Sequence, residues 1–395
     1  LAMGGGYGNP ELVEILAKEA PAGLDLLVDA GVPFRNSLPR IGGHSAYRSY
    51  QMACSGAEVM DKLTALALNS GKVKIQRGVK VVEFMRGFEN GMAQDAVRSS
   101  GVDSAPVLGV VVEDKQGRHT VRASRGVIIA SGGYANDVAL RCVAKPSLTA
   151  AFNCTNHAGA TGEVIQAARK VGADVVHMGF VQLYPCADPD TGAIDQGAFL
   201  CFSGTGYGLI YVNSEGARFV NELAGREEVS NAQIEIGVKP TYSILNDAMF
   251  QSLGIDDDDI DRLVRRGRAR RANTLEGLAQ MAGFDKEVFL SAVTEHNEAI
   301  CQGALAAFDK PTTSQMIPLD KGDFYAIPQW PSVHYCMGGL RIDAYARVLD
   351  IDGKPIPSLF AAGEACGGLH GIDRLGGNGI AECVVFGRIA GRLGE

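Results

Sequence analysis

Apolar residues recur at helical spacing early in the chain. Leu12, Ile15 and Leu16 form a stripe behind Asn9-Pro10-Glu11, which combines an N-cap, a first-turn proline and an acid suited to the positive helix end. A second stretch, Leu24 to Ala30, is predicted as a separate helix stopped by Gly31. The small-residue stretch Arg48 to Ala57 leads into a further helix, Glu58 to Leu68. From residue 73 to 130 the pattern shortens to β-branched runs. Val79 to Phe84, Leu108 to Glu113 and His119 to Val121 are predicted strands, with Asp114-Lys115-Gln116-Gly117 as a hairpin turn. Arg125 to Ala130 is continuously apolar, which predicts a parallel strand buried on both faces. It ends in Ser131-Gly132-Gly133, and Thr161-Gly162-Glu163 then opens a helix to Val171. A last apolar strand, Ser358 to Ala362, runs into Gly363-Glu364, a glycine-rich turn holding Arg374, and a helix from about Ile380 to Leu393.

Between Gly179 and Tyr335 the texture changes to aromatic and polar loops followed by two helices, Leu275 to Met281 and Lys286 to Cys301. This predicts an inserted capping domain over residues 179–335, within a domain formed by 1–178 and 336–395. Asp256 to Asp259 precede a run of arginines from Arg262 to Arg271, and the mixed signs predict a solvated helix face rather than a nucleic-acid site. The net charge of −8 argues the same way. No apolar run is long enough to predict a membrane span. Nine scattered cysteines show no paired or haem-type spacing; they point to free thiols and a cytoplasmic setting, and no metal site is expected.

The order strand, Gly363-Glu364, Gly367-Gly368, Arg374-Leu375-Gly376-Gly377-Asn378, helix is more specific than any one glycine turn. It resembles the C-terminal flavin-holding segment of the fumarate reductase/succinate dehydrogenase flavoprotein family, which includes urocanate reductase. The resemblance implies an α/β fold: an FAD-binding, Rossmann-like domain of glutathione-reductase type with an inserted α+β capping domain. It also implies cofactor contacts at Cys54, Val81, Ser131, Gly132, Gly133, Glu163, Gly363, Glu364, Asn378, Gly379 and Ile380. Glu163 stands where the family usually has Asp, and plain helix capping explains it equally well. Flavoproteins of this type carry a Gly-x-Gly-x-x-Gly turn after their first strand. Gly4-Gly5-Gly6-Tyr7-Gly8 follows no apolar strand, so the chain is expected to lack its first βαβ unit, either cut off or on a partner chain.

The segment Asn213 to Arg226 is similar to the family's Asn-x-x-Gly-x-Arg-Phe-x-Asn-Glu-x-x-x-Arg, read here as strand, turn, strand and a loop. Its last arginine, Arg226, is implied to protonate the substrate carbon as hydride arrives from flavin N5. Arg374 matches the clamp for a substrate carboxylate. Elsewhere the chain departs from the family. Tyr184 replaces one carboxylate-binding histidine, and Tyr335 replaces a second. Cys201 and Phe202 fall where a Thr-Glu pair begins the proton relay, with Thr205 in place of its arginine; Gly377 is a further substrate contact. A second carboxylate beside Tyr184 and Phe202 would lack donors, at a cost of roughly 1–3 kcal/mol. The expected substrate is therefore an α,β-unsaturated monocarboxylate with an apolar or aromatic tail. With the relay broken, Tyr335 is a candidate relay member or donor, although a core tyrosine is also a fair reading. Electrons are expected from an external donor: a cytochrome, a flavin domain or a reduced carrier. Two alternatives are a 3-ketosteroid dehydrogenase-like flavoenzyme and a non-catalytic remnant without flavin.

Overall fold

The computed structural model describes residues 1–87 and 105–394. Its apolar residues gather into two large cores. One is built from both ends of the chain, Leu12 to Leu183 and Val333 to Ala390. The other is built mostly from residues 184–327, with Ile41 joining from the N-terminal part. Two paired strands pass through both. Val181–Ala187 gives Leu183 to the first core and Tyr184 to the second, and Phe324–Cys336 gives Val333 to the first and Ile327 to the second.

In the first core, Val127–Ile129 pairs in parallel with Pro355–Ala361, Ala361 opposite Ile129. The parallel pairing is as predicted, but the double burial is not. Val127–Ile129 lies at the edge of a three-stranded sheet, and Ile128 is 40% exposed. The hairpin at Asp114–Gly117 is present, joining Val107–Asp114 to Gly117–Arg122. The two N-terminal helices of the sequence reading are one, Pro10–Asp29, capped by the Asn9 side chain. Pro21 lies inside it, where the missing N–H and the ring clash ordinarily cost about 3 kcal/mol. Burial of Leu12, Leu16 and Leu27, and the close fit of Gly23 against Val384, offset that cost and keep the helix continuous. The C-terminal helix runs Asn378–Gly391, starting two residues before the reading.

In the second core, the strands Val181–Ala187, Phe324–Cys336, Thr241–Asn246 and Ile210–Val212 form a sheet in that order, with Arg270–Ala272 added at one side. Arg226 is not on a loop. It is the first residue of the helix Arg226–Ile236, and the second strand read before it is a single bridge, Val212 to Arg218. The arginine run is solvated only in part. Arg262, Arg265 and Arg266 are exposed, while Arg268 turns inward to Asp188 and Asp195 at 2.9 and 2.6 Å. Asp195 also caps the helix Gln196–Ser203, accepting from the Ala198 amide.

Candidate active site

The Asn213–Arg226 segment shows why its spacing matters. Asn213 accepts from the Glu215 and Ala217 amides and fixes the turn. Arg218 and Glu222, four residues apart, pair at 2.9 Å with almost no exposure, and Glu222 also takes Lys310 at 3.0 Å. Burial alone would raise the Glu222 carboxyl, but Lys310 and Arg218 outweigh it and hold it at about 2. This buried ion cluster pins the loop, and Gly225 then opens the helix that carries Arg226 into the interior.

Arg226 lines a cavity of about 1330 Å³ together with Tyr184, Phe202, His334, Gly377 and Asn378. Its Nη1 donates to Gln182 Oε1 at 2.8 Å, and its guanidinium lies 4.5 Å from the Phe202 ring centre and 5.1 Å from that of Tyr184. Gln182 is oriented by Asp373 and by the Arg374 carbonyl. Burial, then the like charge of Arg374, pulls Arg226 down to about 9. Its Nε is buried without a partner, as is that of Arg374.

Arg374 stands just behind the cavity wall. Its Nη2 faces His334 Nε2 at 3.0 Å, and its guanidinium lies 4.2 Å from the Tyr335 ring centre. Tyr335 donates its hydroxyl to Glu382 at 2.5 Å, not toward Arg226, and Glu382 also meets His370. Burial, then Glu382, raises the Tyr335 phenol well above its usual value. Tyr184 gives its hydroxyl to the Ala198 carbonyl, so its ring face is what the cavity meets. Cys201 is fully buried in the second core, outside the cavity lining.

The implied cofactor residues fall in two places. Cys54, Asn378 and Ile380 line the cavity itself, as does the expected substrate contact Gly377, and Gly379 packs against Tyr335 and Arg374. The Asn378 helix starts at the cavity with Gly377 as its N-cap at φ 83° and no side-chain cap, while its Asn378 and Ile380 amides donate to the Leu375 and Gly377 carbonyls at 3.3 and 3.2 Å. The others gather near the carboxyl ends of the parallel strands, where open α/β sheets bind ligands. Ser131-Gly132-Gly133 follows one strand and Gly363-Glu364 the other. A Cβ on Gly133 would meet Glu364 Oε1 at 2.6 Å, so only glycine lets the two turns close. Val81 lies on the neighbouring strand Lys80–Arg86, and Glu163 pairs with Lys80 at 2.8 Å. These glycine turns and the helix start fit the flavin part of FAD. Gly4 to Gly8 instead forms a turn packed on Leu369 to Gly371.

Two histidines were missed by sequence reasoning. His334 accepts from Arg374 and meets Thr155 at 2.8 Å through Nδ1; burial, then Arg226 and Arg374, keeps it neutral. The register slip between Val333 and Tyr335 is what turns it to the cavity. His44 is buried beside Phe202, in a loop without any patterned spacing. Among the described residues no group of side chains is arranged to hold a metal, and no helix is long and apolar enough to cross a membrane.

Comparison with known proteins identifies the family and the fold. The chain is 32% identical to an NADH:acrylate oxidoreductase of Vibrio harveyi, over 98% of the chain and 37% of that protein. It is 30% identical to an acrylate reductase flavoprotein subunit of Shewanella woodyi, over 100% of the chain and 77% of the relative. A cytochrome-type fumarate reductase of Shewanella frigidimarina is 31% identical over 98% of the chain and 63% of its own length. The chain thus spans between about a third and three quarters of these relatives. A flavocytochrome c3 fumarate reductase in an open conformation superimposes with a TM-score of 0.70 at 27% identity, covering all of this chain and 65% of the other. A 3-ketosteroid Δ4-(5α)-dehydrogenase from Rhodococcus jostii shares the fold, with a TM-score of 0.66 at 21% identity. The model of the FAD binding domain matches residues 1–380, and the chain belongs to that family, with FAD as its cofactor.

Proposed function

We propose that the protein is a flavin-dependent reductase of the activated C=C bond in an α,β-unsaturated monocarboxylate. The observation that carries this reading is Arg226: a buried guanidinium held by Gln182 that lines the same cavity as the helix start at Asn378. FAD, when bound, supplies the hydride. Arg226 supplies the proton, and a guanidinium pulled down to about 9 is a far better acid than one in water. Its positive charge also stabilises the anionic character that builds on the carbon next to the carboxylate.

Arg374 holds the substrate carboxylate, with neutral His334 orienting its guanidinium and the Tyr335 ring supporting it. Tyr335 is thereby assigned to Arg374 and Glu382, rather than to reprotonating Arg226. The Phe202 ring and the Tyr184 ring face form the wall beside Arg226, and neither offers a donor to a second carboxylate there. Acrylate-type and aryl-acrylate acids fit that wall better than fumarate does. Electrons come from an outside carrier, as the cytochrome and NADH in two relatives' names suggest for those proteins. The 3-ketosteroid reading keeps the fold but leaves the two buried arginines without a task.

The deciding experiment offers reduced dye as donor, with acrylate, cinnamate, urocanate, fumarate and a 3-ketosteroid as acceptors, to full-length flavin-loaded protein. Oxidation of the dye by acrylate or cinnamate supports the reading, and oxidation by the steroid alone refutes it.

A further inference from the structure

The start of the Arg226 helix separates two cavities. Arg226 faces the large one, while its neighbours Gly225 and Glu227 face a second cavity of about 900 Å³ that is open to solvent and also lined by Glu228 and Asp373. Among the described residues, His44 alone lines both. It is 6% exposed and rides on a tight crossing between the segment preceding Arg226 and Phe202. The Gly43 amide donates to the Leu223 carbonyl at 2.8 Å, and a Cβ on Gly42 would touch both Phe202 and the Ala224 carbonyl. The ring is poised to pass a proton. Nε2 lies 3.1 Å from the Gly376 carbonyl, which can only accept, so Nε2 carries the hydrogen. Nδ1 is then an open lone pair, loosely met by Arg48 Nε and Ser49 Oγ at 3.5 Å.

We propose that His44 is the relay that returns a proton to Arg226 after each turnover, drawing it from solvent through the second cavity. This rests on Arg226 being the donor. Each turnover leaves Arg226 one proton short. A protonated His44 ring gives one hydrogen, through water in the large cavity that both residues line, to the neutral guanidine, and its other nitrogen takes one from water in the second cavity. One proton from bulk solvent is consumed per turnover, and no electrons pass through His44. The imidazole takes over a task that a phenyl ring at 202 and a threonine at 205 cannot perform. Burial, then Arg48, with Arg226 and Arg40 adding to them, pulls the ring down to about 4. It is therefore neutral at rest and hands its proton to Arg226 downhill. His44 acts through Arg226 and is not itself a catalytic residue.

The test uses full-length, flavin-loaded protein and compares the first turnover of pre-reduced enzyme with steady-state turnover, acrylate and cinnamate being the acceptors. H44Q should lose on the order of 100-fold in steady state while its first turnover stays within about twofold, because Arg226 begins protonated. Imidazole added to H44A should restore the steady rate in proportion to its concentration. Nitrogen-15 NMR of the histidines should show the His44 ring neutral and protonated at Nε2 at neutral pH. Steady-state rates near the parent's in both variants overturn the relay. So does an equal loss in both phases without imidazole rescue, which marks a structural role, and so does a charged His44 ring at neutral pH. R226Q separates the two claims. Loss of its first turnover keeps the donor reading whatever His44 does, and survival of that turnover removes the donor and the relay together.

Discussion

The Arg226 guanidinium lies 4.5 Å from the centre of the Phe202 ring, so the side chain next to the acid is a hydrocarbon face rather than a carboxylate. A cation over a ring is attracted by its quadrupole, but far less than by a carboxylate in the same buried place. Burial, then the like charge of Arg374, pulls Arg226 down to about 9, and the Phe202 ring supplies no negative charge to offset them. Turnover should therefore fall on an alkaline limb near pH 9, since the protonated form present below that value is the one that can give a proton. Phe202→Glu should move the limb to higher pH by stabilising the cation. A pH profile of kcat for both proteins checks this, and an unmoved limb refutes it.

Arg374 contacts His334 and Tyr335 rather than an acidic side chain. An incoming carboxylate that reaches it from the cavity would not displace an acidic partner. Arg374→Ala should raise KM for the acid by on the order of 10- to 100-fold while lowering kcat much less. Steady-state kinetics on acrylate would show it; an unchanged KM would place the carboxylate elsewhere.

Tyr184 spends its hydroxyl on the Ala198 carbonyl and offers the cavity only a ring face. Replacing it with histidine adds a donor where the wall now has none. Tyr184→His should shift the ratio of kcat/KM toward fumarate, relative to cinnamate, by on the order of tenfold. The same acceptor panel measures it.

Glu222 is buried between Arg218 and Lys310. Glu222→Gln strands two buried cations and should cost about 3–5 kcal/mol, read from urea unfolding. The pH dependence has a definite sign. The folded carboxyl sits at about 2, below its ordinary 4.5, so its contribution is fully present above 4.5 and disappears as pH falls toward 2. The Gln variant should lack that acid limb.

Gly133 leaves no room for a methyl beside the Glu364 carboxylate. Gly133→Ala should push Glu364 off the Cys336 amide it accepts from at 2.9 Å. The variant should lose flavin during gel filtration, seen as a drop in visible flavin absorbance per protein, while its far-ultraviolet circular dichroism is unchanged.

The features legible in the sequence are those that local order encodes. Gly363-Glu364 after an apolar strand, and Leu375 to Asn378 before a helix, are each contiguous; the structure puts Gly363-Glu364 at the end of its strand and Gly376 to Asn378 at the cavity. The residues that escaped are set by contacts across long sequence gaps. Lys310 reaches Glu222 from 88 positions away by sequence number. His44 is an isolated histidine in an unpatterned loop, and only the fold brings it to Phe202 and the Arg226 segment. The helix break misread near Pro21 has a similar origin: Val384 and Val385, packed on Gly23 from the far end of the chain, outweigh the local penalty.

The strands Val181–Ala187 and Phe324–Cys336 thread both cores, and their register slips between Trp330 and Ser332 and again between Val333 and Tyr335. The second core therefore cannot swing on a slack tether. Any swing must flex this ribbon, and the slips are where it flexes most cheaply. Tyr184 and His334 stand at that spot, their rings 5.1 Å apart. Admitting a molecule and shaping the wall that greets it are, mechanically, the same movement.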